Sequence, residues 1–312
     1  MLDIVFMGTP DFAVPSLDIL HKNHTIKAVV TVPDKAAGRG RKIRQSPVKA
    51  YAEKNGLYCL QPDTLKDDTF VSELKRLAPD LMVVVAFRML PKVVWEIPGL
   101  GTFNLHASLL PDYRGAAPIN HAIINSEQET GLTTFFIDEQ IDTGSILMQE
   151  KTPIHENDTA GDLHDRLMQQ GAELVLKTAN AIETNSIKPQ QQPLKGDYKK
   201  APKIFKQDCK INWQQNGKEI HNFIRGLSPY PAAWTVLNNE GRESTVKIFE
   251  ANFLPEQHRM TTGTIRISEN RHIDVAVPNG FIRLETIQPE SKKPMSANAF
   301  LQGYDITNAR FV

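Results

Sequence analysis

Asn104 and His106 stand two residues apart in the stretch Phe103-Asn104-Leu105-His106. An asparagine offers an amide donor, and an imidazole can accept, donate or carry a proton near neutral pH. The chemistry open to such a pair is hydrogen-bond donation combined with proton exchange, provided both side chains face the same way. An extended backbone supplies that condition, because residues two apart project from one face. The surrounding sequence supplies the extended backbone. Leu81 to Ala86 is a continuous apolar run that predicts a fully buried strand. Gly101 then breaks the chain, and the alternation of Thr102 to His106 predicts a second strand with the pair at its end. Leu110-Pro111 turns the chain, and Arg114-Gly115 closes the loop ahead of a helix. The pair is thereby expected at the carboxyl end of a sheet, where open α/β folds bind ligands. Taken alone, it also fits two structural residues with satisfied hydrogen bonds.

The longer string, Asn-Leu-His-Ala-Ser-Leu-Leu-Pro-Asp-Tyr-Arg-Gly-Ala-Ala-Pro-Ile from Asn104 to Ile119, resembles the signature of the folate-dependent formyltransferases. Several unusual residues fall in one fixed register there. The opening Met7-Gly8-Thr9-Pro10-Asp11-Phe12 is similar to the start of the same family, and the resemblance extends to Met295-Ser296-Ala297.

Composition sets the frame for this resemblance. A length of 312 residues favours two domains. Lys+Arg 36 against Asp+Glu 36 leaves no net charge, so any nucleic-acid site must be a local patch. Cys59 and Cys209 are far apart and in no metal or redox spacing, which suits a reduced cytoplasmic protein and gives no reason to expect a metal. The chain opens on a strand-like segment, and no long apolar run predicts a membrane span.

Along the chain, Ile4 to Met7 and Ile26 to Val32 read as strands around a helix from about Phe12 to His21, the rhythm of a parallel sheet with right-handed crossovers. A single glycine follows the first strand where a dinucleotide fingerprint carries three. Pro33 to Pro47 is a long polar loop with Lys35, Arg39, Arg41, Lys42 and Arg44 opposed by Asp34. Loops of this length in a compact domain tend to be functional or disordered, and arginine suits phosphate. Thr133 to Ile137 and Ile146 to Glu150 are further strands, with Asp142-Thr143-Gly144 in the turn between them. Asp158-Thr159 is placed to cap a long helix reaching about Glu183. The region Asn185 to Pro193 loses apolar period and predicts a linker, which continues into Lys195, Lys199, Lys200, Lys203, Lys206 and Lys210. Several short strands then alternate with turns from Ala233 onward, as in a small OB-like barrel.

The expected fold class is therefore α/β: a Rossmann-like, mostly parallel sheet with helices on both faces, followed by a small C-terminal OB-like β-barrel domain. The expected boundaries are residues 1–184 for the catalytic domain, 185–206 for a basic linker and 207–312 for the barrel. The family resemblance implies transfer of a formyl group from 10-formyltetrahydrofolate, as co-substrate, to the α-amino group of initiator methionyl-tRNA by a cytoplasmic monomer. It implies Asn104, His106 and Asp142 as the catalytic set, and folate contacts at Ser108, Leu109, Leu110 and Pro111. It also implies tRNA contacts at Lys35, Arg39, Arg41, Lys42, Lys203 and Lys206. Glycinamide ribonucleotide or an amino-sugar nucleotide are the alternative acceptors within the same family. The barrel and the basic insertion argue against glycinamide ribonucleotide, and the Arg39-Gly40-Arg41-Lys42 loop argues against an amino-sugar nucleotide. The resemblance departs at Phe87-Arg88-Met89, where the family more often carries Tyr-Gly and one extra residue, so a large charged side chain is expected near the folate pocket.

Overall fold

A computed structural model describes residues 1–37, 42–193, 196–268 and 271–312. The chain forms two compact units. The first comprises Met1–Gly115, Thr130–Thr152 and His164–Lys200. The second comprises Ala116–Glu129, Pro153–Leu163 and Ala201–Val312.

The first unit begins with β1 (Asp3–Gly8), a 3-10 turn at Asp11–Ala13, α1 (Val14–Asn23) and β2 (Thr25–Val30). Gly8 is required by close approach: a Cβ there would lie 2.7 Å from the Ala13 Cβ and 3.1 Å from the Val85 carbonyl oxygen. A hairpin of β3 (Lys35–Ala37) and β4 (Lys42–Arg44) follows, where the sequence predicts only a loop. Its pairing of Lys35 with Arg44 makes the base of that loop ordered antiparallel backbone. The chain continues through α2 (Pro47–Lys54), β5 (Cys59–Leu60), α3 (Asp68–Leu77), β6 (Leu81–Val85) and α4 (Lys92–Trp95). Ser46 caps α2 by accepting the Lys49 amide at 3.0 Å, and Asp67 caps α3 through the Thr69 and Phe70 amides. Next come β7 (Thr102–His106), the two-residue β8 (Arg114–Gly115), α5 (Pro118–Ile124), β9 (Glu129–Phe136) and β10 (Ile146–Pro153). The long α6 (Ala160–Glu183) and the two-residue β11 (Lys200–Ala201) lead into the rest of the second unit.

The seven-stranded sheet runs β10-β9-β7-β6-β1-β2-β5. The pairs from β7 through β5 are parallel, and β9 joins β7 antiparallel. Every residue of β6 is buried, as befits a central parallel strand covered on both faces. One face carries Val5, Met7, Ala28, Val30, Met82 and Val84 against Phe70 and Leu74 of α3 and Val94 of α4. The other receives α6, where Gly171 lies against Leu105 and Thr178 bonds Thr134 at 2.9 Å. Helices thus cover both faces.

In the second unit, α7 (Gly217–Leu227) precedes β12 (Ala233–Asn239), β13 (Arg242–Pro255), β14 (Ile265–Ile267), β15 (Ile273–Val277), β16 (Gly280–Pro289), β17 (Met295–Ser296), α8 (Ala297–Gly303) and β18 (Ala309–Phe311). The antiparallel order β14-β15-β16-β13-β12-β18 nearly closes on itself, because Thr264 bridges Arg310. Its core joins Trp213, Ile220, Ile224, Val246, Ile248 and Phe300. Buried Asp274 accepts from both Arg283 and Arg266, and although burial pushes its carboxyl up, these two cations outweigh that and hold it below the usual carboxylate range. Among the described residues no helix is long and apolar enough to cross a membrane.

Candidate active site

The register of β7 sets the site. Asn104 pairs with Val84 on one side and Phe135 on the other, and His106 pairs with Thr133. Leu105 faces α6, so Asn104 and His106 project from the opposite face. Their strand is hydrogen-bonded on both sides, which fixes the two side chains on rigid backbone.

His106 is 7% exposed, and its Nε2 lies 2.9 Å from the carbonyl oxygen of Tyr113. A carbonyl only accepts, so Nε2 carries the proton in this contact. The other nitrogen, Nδ1, stands 3.8 Å from Asp142 Oδ2, an ion-pair separation rather than a hydrogen bond. The Asp142 carboxylate instead accepts the Gly115 amide at 2.9 Å. The imidazole is therefore oriented by the loop that follows it, and the carboxylate supplies charge beside the nitrogen left open. The half-buried Asn104 amide has no hydrogen-bond partner among the described residues.

Asp142 reaches this point by a sharp return of the chain. Phe136, at the end of β9, pairs with Phe103, three residues ahead of His106, so the following turn must run back along β7. Asp138 organises the turn by accepting from the Gln140 amide at 3.0 Å and the Thr143 hydroxyl at 2.7 Å. Asp142 itself has φ of 56°, in the left-handed region. At Gly144 a Cβ would lie 1.6 Å from the Phe136 carbonyl oxygen, so only glycine closes the turn.

The segment Ser108–Pro111 packs beside the pair. The Ser108 hydroxyl donates to the Asp112 carbonyl at 2.7 Å and is fully buried. Thr133 donates to the Ser108 carbonyl at 2.6 Å and accepts the Leu110 amide at 3.1 Å, while Gln149 donates to the Leu110 carbonyl at 2.9 Å. These polar atoms are thus spent within the loop and on Thr133 and Gln149 of the adjoining strands, and Leu109 and Pro111 are its partly exposed members. Arg88 bonds the carbonyl oxygens of Pro62 and Asp63 and lies over the Phe87 ring, so its charge is tied to the 62–63 backbone.

The expected tRNA residues fall in separate places. Lys35 is exposed on β3; Arg39 and Arg41 lie outside the described residues, as does the side chain of Lys42. Lys203 and Lys206, in the second unit, line a cleft of about 640 Å³ together with Lys247, Lys292, Tyr230 and Trp234. Glu290 is an acidic member of the same wall. Lys247 and Lys292 were not legible as partners of the lysine run because the barrel, rather than spacing, brings them there. Sequence reasoning also missed the Tyr113 carbonyl, the Gly115 amide and Gln192, backbone and amide groups that no motif singles out. Among the described residues, no three His, Cys, Asp or Glu side chains are grouped to hold a metal ion.

Residues 2–179 match the family described as Formyl transferase, and residues 203–305 match its C-terminal domain. A methionyl-tRNA formyltransferase of Flavobacterium johnsoniae is 52% identical over 97% of this chain and 96% of its own. One of Bacteroides fragilis is 49% identical over 99% of this chain and 97% of its own. Among solved structures, an N-formyltransferase from Helicobacter canadensis, in complex with folinic acid and dTDP-3-aminofucose, superposes with a TM-score of 0.65. It is 25% identical and covers 91% of this chain and 98% of its own.

Proposed function

Because this chain belongs to the formyl transferase family, we propose that it transfers a formyl group from 10-formyltetrahydrofolate to the α-amino group of initiator methionyl-tRNA. The acceptor follows the relatives that match nearly end to end. The observation that carries the chemistry is the pairing of an Asn104 side-chain amide, unpartnered among the described residues, with a His106 ring whose Nδ1 stays open beside Asp142.

In this reading the amine attacks the formyl carbon, a C–N bond forms and negative charge moves to the formyl oxygen. Asn104 donates to that oxygen, a role whose removal costs about 10²–10³ in rate elsewhere. His106 takes the amine proton at Nδ1, and Asp142 stabilises the imidazolium so formed. The bond to the folate nitrogen then breaks, and His106 returns the proton to that nitrogen. Proton exchange of this kind contributes roughly 10²–10⁴. The folate lies against Ser108, Leu109, Leu110 and Pro111, with Leu109 and Pro111 giving apolar surface. Lys35, Arg39, Arg41 and Lys42 hold tRNA phosphates, as do Lys203 and Lys206 with Lys247 and Lys292 beside them. The enzyme works in the cytoplasm, where charged tRNA is made.

The test is a formylation assay offering charged initiator tRNA, glycinamide ribonucleotide and an amino-sugar nucleotide in parallel. The tRNA should be turned over far faster than the other two. Preference for the sugar nucleotide would replace the acceptor, and no transfer to any of the three would sink the chemistry.

A further inference from the structure

We propose that Gln192 is a positioning residue that fixes the Asp142 turn against the Arg114–Gly115 segment; the proposal rests on the reading of Asp142 given above. Gln192 is 5% exposed in an otherwise open stretch, Asn185 to Pro193, that has the composition of a linker. Ordering a polar side chain there costs entropy and desolvation unless every polar atom finds a partner.

Every polar atom does. Nε2 donates to the carbonyl oxygen of Gly144 at 2.7 Å and to that of Asp142 at 3.1 Å. Oε1 accepts from Arg114 Nη2 at 2.7 Å and from Nε at 3.3 Å. The amide's two donors serve one catalytic loop, and its oxygen takes a forked guanidinium from the other. Gln190 anchors the same stretch by a reciprocal backbone pair with Ile146, at 2.7 and 2.8 Å.

The result is a closed circuit. Gln192 holds Arg114; its neighbour Gly115 holds the Asp142 carboxylate; and Gln192 holds the Asp142 carbonyl. Asp142 sits at φ of 56°, a conformation that costs a non-glycine residue free energy and persists only when its surroundings determine it. The bond to its carbonyl is such a determinant, and with it the carboxylate stays 3.8 Å from His106. Glutamate at this position would turn oxygens toward two carbonyls, and asparagine is one methylene too short.

The experiment compares Q192M, which keeps length and removes the amide, with D142N and the double variant, in steady-state formylation of charged tRNA. Q192M should lower kcat by about 10–100-fold, the scale of a misplaced catalytic group. KM for both substrates and the circular dichroism spectrum should stay unchanged. In the D142N background the same change should cost less than about 3-fold, since no carboxylate remains to be placed. If Q192M proves unstable, R114M breaks the circuit from its other side and carries the same expectation. Wild-type kcat in Q192M, or an undiminished loss in the double variant, would overturn the role of Gln192. Wild-type kcat in D142N would instead overturn the role of Asp142.

Discussion

The carbonyl of Tyr113 takes the Nε2 proton of His106 at 2.9 Å, and this bond decides which imidazole nitrogen is open to a substrate. If the proposed reaction exchanges its proton at Nδ1, keeping the Tyr113 contact alone cannot rescue a replacement of His106. Glutamine can keep a donor toward Tyr113 but has no basic nitrogen. His106→Gln and His106→Ala should therefore both lose about 10² or more in kcat. Circular dichroism checks that the fold is retained, and recovery of activity by the glutamine variant would remove proton exchange from the mechanism.

Asn104 is a separate case, because its side-chain amide bonds none of the described residues. Asn104→Ala should lower kcat by about 10²–10³ and leave the melting temperature within a few degrees of wild type. A large loss of stability with proportionate loss of activity would mark Asn104 as structural instead.

Arg41 tests the acceptor. If it contacts a tRNA phosphate, Arg41→Ala should weaken binding of methionyl-tRNA and flatten the slope of log K against log salt by roughly 0.7–0.9. Measuring that slope alongside kcat and KM separates phosphate contact from a steering role, which would lower kcat at constant slope. Wild-type values throughout would sink the proposal that this loop binds tRNA.

The second unit carries its own pH dependence. Burial, with the Arg225 charge beside it, pushes the His221 imidazole down to about 4, and its Nδ1 has no hydrogen-bond partner among the described residues. The folded chain thus keeps His221 neutral from about pH 6.5 down to about 4, whereas the unfolded chain takes up a proton across that window. Stability should fall as pH drops through it, with a slope of up to about 1.4 kcal/mol per pH unit from this residue, and be unaffected above it. Urea unfolding of wild type and His221→Gln at pH 7.5 and pH 5 reads the effect: the variant should lose less stability on acidification. Equal losses in both proteins would show that His221 is not the group responsible.

Much of this organisation was written in periodicity. The apolar run of β6 and the alternation of Thr102 to His106 placed the Asn104–His106 pair on one strand face, and the observed β7 spans those same five residues. Short strands with turns between them predicted the barrel. The hairpin at Lys35–Arg44 escaped because it pairs only three residues a side, too few for a period to emerge. Gln192 escaped for a related reason: composition reports average solvation, while Gln192 is one buried side chain among exposed neighbours. The return of the Asp142 turn onto His106 depends on backbone conformation at Asp142 and Gly144, which spacing does not encode.

The division of the site between a doubly paired strand and a turn held by a few side-chain bonds has a thermal consequence. Strand β7 can open only when the sheet itself opens, since β6 and β9 bond it on either side. The Asp142 turn needs only its few side-chain bonds to let go, so it belongs to the low-energy end of the local opening spectrum. Warming should therefore silence the enzyme before it melts. Turnover would decline over a temperature range in which the β7 amides still resist hydrogen exchange, and cooling would restore it without refolding.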